Sequence, residues 1–188
     1  NQIMLTATVR GDASTRFAPK NRWGVFPSVA LGWKIKETFF KDNKQLSEWK
    51  LRLGYGITGQ QNLNQGDFQW LPIYKIDKPG TGAMSTVGVI DPATGEYVYN
   101  RTYRPSEYNP DLTWEKTTTY NVGMDWGFLN NRITMNADFY YRLTDDLINV
   151  VDIPAGTNFK TRVIKNIGSL YNMGVEYAFN AVAIDRKN

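Results

Sequence analysis

The stretch KTTTYNVGMDWGFLNNRITMNADFYYRLT, Lys116 to Thr144, decides how the rest of the chain is read. Up to Phe128 the large residues fall on even numbers: Tyr120, Val122, Met124, Trp126 and Phe128. Thr119, Asn121, Gly123, Asp125 and Gly127 separate them. Beyond Leu129-Asn130-Asn131-Arg132 they move to odd numbers: Ile133, Met135, Ala137, Phe139, Tyr141 and Leu143. A period of two belongs to β-strands with one apolar and one polar face. A two-residue turn at Asn130-Asn131 accounts for the change of parity, since Asn tolerates the positive φ that tight hairpin turns need. The resulting register sets Phe128 against Ile133, Trp126 against Met135, Val122 against Phe139 and Tyr120 against Tyr141. On the other face Asp125 meets Asn136, and Thr119 meets Arg142.

Phe128 and Tyr120 lie roughly 26 Å apart along such a strand. Strands of soluble domains average about 5–6 residues, whereas a tilted membrane-spanning strand needs about 9–11. An apolar band with aromatic rims is the mark of a transmembrane barrel. The expected class is therefore all-β, an antiparallel transmembrane β-barrel segment. Composition agrees, with 14% aromatics and 16 Gly in 188 residues. No apolar run approaches the length of a membrane helix. The chain has no Cys and no His, which excludes thiol chemistry and histidine acid–base catalysis and leaves no His or Cys for a zinc site. A net charge of +4, spread along the chain, is no nucleic-acid footprint.

Alternation places strands near residues 2–10, 25–35, 48–58, 117–129, 132–144 and 172–183. Residues 11–22 form a polar loop, 36–48 a connection with a helical turn around Thr38-Phe39-Phe40, and 145–164 a further loop. Residues 59–115 form a long outer loop rich in Gly, Pro and Asp, with brief strand-like pieces such as 96–100. The short connections at 36–48 and 130–131 then share one side of the sheet, and the long ones share the other. Trp33, Trp49 and Trp126 fall at the short-turn ends of their strands, and Tyr55, Tyr120 and Tyr141 at the long-loop ends. These two rows are read as lipid-interface aromatics. Arg10, Lys34, Lys50, Arg52, Asp125, Asp138, Arg142 and Glu176 would face the lumen. Six strands do not close a barrel of this kind, so further strands are expected on both sides, and the opening within a strand pattern at Ile3 suits an excerpt of a longer protein.

Several longer motifs resemble one family. They are LTATVRGDASTRF (5–17), NRWGVFPSVALGW (21–33), LRLGYGITGQ (51–60), NPDLTWE (109–115), FLNNRI (128–133) and IGSLYNMGVE (167–176). Together they resemble the barrel of SusC/RagA-type TonB-linked outer-membrane transporters. The resemblance implies about six strands of a 22-stranded barrel whose plug is not in this chain. It also implies uptake of glycans or peptides across the outer membrane of a Gram-negative bacterium. A SusD-like surface lipoprotein would serve as lid, and TonB, ExbB and ExbD would supply energy through parts of the protein outside this chain. The alternatives are a soluble β-sandwich that binds carbohydrate and a passive porin.

No catalytic constellation, cofactor motif or calcium-loop spacing is present; Asp145, Asp146 and Asp152 read as solvated loop charge. The candidates for substrate or lid contact are Phe68, Trp70, Tyr74, Tyr97, Tyr99 and Tyr103, with Tyr108 and Trp114 beside them. Their rings can stack on sugars or grip a peptide. The competing role is packing of the long loop against itself and its lid partner.

Overall fold

The computed structural model describes residues 2–63, 66–76, 86–101 and 103–183. Six long strands make one antiparallel sheet: β1 (Ile3–Ala13), β2 (Trp23–Lys34), β3 (Leu46–Gln60), β8 (Glu115–Phe128), β9 (Ile133–Asp145) and β12 (Ser169–Ala181). Their spatial order is β1-β2-β3-β8-β9-β12, so the sheet is an open meander with β1 and β12 at its edges. Strands of 11 to 15 residues are long enough to cross a bilayer at a tilt. A short helix, α1 (Ile35–Phe39), links β2 to β3, which fits the helical turn expected there.

The hairpin from Lys116 to Thr144 pairs as its alternation requires, including Val122↔Phe139, Tyr120↔Tyr141 and Asp125↔Asn136. Asn130 and Asn131 have φ of 57° and 61°, and the Arg132 N–H donates to the Leu129 carbonyl at 3.3 Å. The turn thus has the left-handed centre that Asn supplies. Leu129 is the exception to the expectation, because it too is left-handed, at φ 53°.

In-register pairing carries side chains across all six strands in straight rows. Leu5, Leu31, Leu53, Val122, Phe139 and Val175 form one row. Ala7, Val29, Tyr55, Tyr120, Tyr141 and Met173 form the next. Among the described residues no second layer covers these rows: Leu53, Val122 and Phe139 are 38%, 42% and 43% exposed. In a β-sandwich such residues would be the dry interior between two sheets. They are open here, which removes the sandwich.

One seam is shorter than the others. Pairing of β2 with β3 stops at Ser28↔Gly56, although β1 follows β2 to Ala13↔Trp23 and β8 follows β3 to Gln60↔Glu115. The Lys34 N–H donates to the Gln2 carbonyl and the Ser14 N–H to the Arg22 carbonyl, so even residues of β2 bond toward β1. Odd residues therefore bond toward β3, and the next odd residue after Val29 is Pro27. Proline has no N–H to give, and the ladder ends there. Phe26 and Trp114 fill the resulting split, their rings 5.4 Å apart. Gly24 and Gly59 flank it; a Cβ on either would collide with the Phe26 ring.

Among the described residues the buried hydrophobic side chains lie at the long-loop end, not beneath the sheet. Phe17, Phe26, Leu63, Leu112, Trp114 and Ile164 form a cluster against which Ile57, Ile148 and Val150 pack. Residues 145–164, expected as a plain loop, instead contain β10 (Ile148–Asp152), which pairs with β11 (Arg162–Asn166). Short strands that pack into a loop core carry too little alternation to be read ahead of the fold. The long loop likewise contains β4 (Tyr74–Ile76) paired with β7 (Tyr103–Pro105), and β5 (Thr86–Ile90) paired with β6 (Tyr97–Arg101). The first loop is shorter than expected, since β1 runs to Ala13. The last strand is shifted toward its start, Ser169–Ala181.

Candidate functional site

The polar face of the sheet gathers the charged residues that alternation assigned to it. Arg52 on β3 reaches over β8 to β9. Its Nε and Nη2 donate to the two carboxylate oxygens of Asp125, each at 2.9 Å, and Nη2 donates also to Asp138 at 2.9 Å. The strand it crosses carries Gly123 at that point, and a Cβ there would have no room between the Asp138 carboxylate and the Arg52 guanidinium. A planar fork that satisfies two carboxylates on neighbouring strands locks three strands in register. Nearby, the Arg142 guanidinium lies over the Tyr140 ring, 5.2 Å from its centre. Lys50 stands opposite Asp125, and Glu176 opposite Asp138. Arg10 pairs with Asp12 at 2.7 Å, and Lys34 with Glu37 at 3.2 Å.

At the loop end of this face, under the β2–β3 split, is an open cavity of about 500 Å³. Thr8, Arg10, Asp12, Ser28, Thr58 and Gln60 supply polar groups, and Phe26 and Trp114 form the wall at the split. Thr8 and Ser28 bond hydroxyl to hydroxyl. Sequence reasoning placed Arg10 on this face but missed the cavity, because the break at Pro27 was not weighed.

The aromatic candidates of the long loop divide. Trp70 contacts other loops: its indole N–H donates to the Thr15 carbonyl at 3.0 Å, and Arg22 stands over its ring at 5.8 Å. Trp114 is buried in the loop core and donates to the Arg22 carbonyl at 3.0 Å. Tyr108 packs against Phe159, with ring centres 5.8 Å apart. Phe68, Tyr74 and Tyr97 are exposed to solvent. Tyr99 and Tyr103 have side chains outside the described residues.

The two aromatic rows appear at opposite ends of the sheet. Tyr55, Tyr120 and Tyr141 stand side by side at centre distances of 5.2 and 6.3 Å, and Tyr171 continues the line at 6.2 Å from Tyr141. At the other end Trp49 pairs across from Trp126, and Trp33 from Leu51. Phe39 packs on Trp33, and Phe40 on Trp49. Among the described residues no cluster of His, Cys, Asp and Glu is arranged to hold a metal ion.

A family model described as TonB dependent receptor-like, beta-barrel matches residues 1–182. The TonB-dependent receptor SusC of Bacteroides thetaiotaomicron is 50% identical over 193 aligned residues, which cover all of this chain and 18% of SusC. The TonB-dependent receptor P39 of Formosa agariphila is 35% identical over 98% of this chain and 16% of its own. Among solved structures, the RagAB peptide importer in its open-open state superposes with a TM-score of 0.78 at 27% identity. That match covers 99% of this chain and 18% of the neighbour's. The chain spans less than a fifth of the length of these relatives. A six-stranded open antiparallel sheet with unlike faces and a family match over residues 1–182 lead to one conclusion: the chain belongs to the TonB-dependent receptor-like β-barrel family and folds as a piece of its barrel wall.

Proposed function

We propose that this chain forms part of the wall and outer mouth of an outer-membrane importer that is energised through TonB, ExbB and ExbD. The importer takes up glycans or peptides beneath a SusD-like lipoprotein lid. The observation that carries this reading is the contrast between the two faces of the sheet. An uncovered apolar face requires lipid, and an ion-paired polar face requires a hydrated interior or a plug. Similarity to SusC supports the reading, as does likeness to a peptide importer in the RagAB structure. Trp33, Trp49 and Trp126 would then mark one membrane interface, and Tyr55, Tyr120 and Tyr141 the other. Phe68, Tyr74 and Tyr97, loop aromatics with large exposed surface, would contact cargo or lid.

The test is uptake of labelled oligosaccharides and labelled peptides by cells that carry the full-length protein, with and without TonB. An importer loses uptake without TonB. Uptake that persists is that of a passive pore. Replacing Tyr74 and Phe68 together by Ala in the same protein should weaken binding of cargo or lid; unchanged binding of both would discard their role.

A further inference from the structure

The short-turn end of the sheet carries a second pocket, of about 590 Å³, which the transport reading does not use. Lys36, Lys41 and Lys44 line it with Asn43, Leu46, Ser47, Asn130 and Asn131. No carboxylate is in that lining. The acidic neighbours are Glu37, which pairs with Lys34 at 3.2 Å, and Asp42 and Glu48, neither of which forms an ion pair with the three lysines among the described residues. The pocket lies between two segments tied to each other. The Leu129 N–H donates to the Gln45 carbonyl at 2.9 Å, and the Asn131 N–H to the Ser47 hydroxyl at 3.1 Å. The Asn43 side-chain carbonyl accepts from the Gln45 and Leu46 N–H groups at 2.9 and 3.1 Å. The backbone that follows Lys41 and flanks Lys44 is thus tied to the Asn130-Asn131 turn.

Apolar surface adjoins this frame. Phe39 is 65% exposed and Phe40 41% exposed, and they pack on Trp33 and Trp49, which belong to the apolar face. Leu46 pairs with Phe128 of the same face. A cationic, amide-lined pocket at the foot of an apolar wall matches one class of molecule: a phosphate diester that carries acyl chains. We infer that the pocket bounded by Lys36, Lys41 and Lys44 binds the headgroup of an anionic phospholipid of the inner leaflet, its chains lying along Phe40, Trp49 and Leu46. The inference rests on the membrane orientation proposed above.

The experiment uses the full-length protein in detergent, with phosphatidylglycerol and phosphatidylcholine as probes and native mass spectrometry to count retained lipid. The wild type should retain phosphatidylglycerol in preference to phosphatidylcholine. The triple variant K36Q/K41Q/K44Q should lose that preference, by on the order of five-fold per lysine removed. Raising salt to about 1 M should weaken it, because exposed charges are screened within about 3 Å. Equal retention of both lipids by the wild type, or an unchanged preference in the triple variant, overturns the site. Displacement of the lipid by millimolar inorganic phosphate also overturns it, in favour of a soluble-anion pocket. TonB-dependent uptake, measured separately, shows whether the transport reading fails with it or survives alone.

Discussion

The loop end and the sheet of this molecule keep their apolar residues in opposite ways. At the loop end Phe17 and Leu112 are fully buried and Trp114 is 4% exposed. In the sheet Val175, Leu5 and Ile3 stand open although they alternate in register with their neighbours. The first region builds its own interior from segments far apart in sequence. The second has none among the described residues and leaves its apolar rows uncovered, as the proposed membrane setting requires. Apolar burial drives folding wherever it occurs, but the solvent that completes it differs between the two.

The sharpest way to break that contrast is to remove Trp114. Trp114→Ala takes away the ring that fills the split and holds Phe17 and Phe26. It should destabilise the loop body by about 3–5 kcal/mol. Hydrogen exchange on the full-length protein should then show residues 14–22 and 148–166 exchanging freely while the sheet stays protected. Uniform loss of protection would mean that the two regions are one cooperative unit.

A charge on the apolar face should act in the other direction. Val122→Arg places a cation at mid-strand and should cost about 2–4 kcal/mol in folding into vesicles. Asn121→Arg, one residue away on the polar face, should cost far less. Equal costs would erase the distinction between faces.

Arg52→Ala leaves Asp125 and Asp138, on neighbouring strands, without the cation they share. Because the three groups remain about a third exposed, the loss should be only about 1–2 kcal/mol in urea unfolding of the full barrel. Arg52→Lys should recover little of it, since a lysine makes no two-pronged bond. Recovery in full would reduce the bridge to a simple charge pair.

The smallest effect concerns the turn. Leu129→Gly should raise stability by roughly 0.5–1 kcal/mol by relieving a left-handed leucine. A loss in urea unfolding would show that the exposed Leu129 side chain contributes more than its backbone costs.

Much of the sheet was legible because strand periodicity is local. Tyr120 to Phe128 and Ile133 to Leu143 announce their faces without any partner, and the Asn130-Asn131 turn fixes their register. The lumen set was legible as parity, but the bridge from Arg52 over Gly123 was not, since it depends on which strands are neighbours. Pro27 carried a readable signal, a missing donor in mid-strand, that marks where β2 and β3 part. The loop core was not readable. Phe17, Leu63, Leu112 and Ile164 follow no common period, and only the folded chain brings them together. Nor was the hydrogen bond from the Trp70 indole N–H to the Thr15 carbonyl readable, since the two residues are far apart in the chain.

Single spin labels at Leu53, Val122 and Phe139, and at Gly54, Asn121 and Tyr140, in the full-length protein in a bilayer test the central claim most directly. Collision with lipid-soluble oxygen and with a water-soluble nickel complex is then compared along each strand. The account predicts oxygen access at the first three and, at the second three, either nickel access or shielding by a plug, in strict alternation. Nickel access at Leu53, Val122 and Phe139, or protection of these three from both reagents, would contradict it.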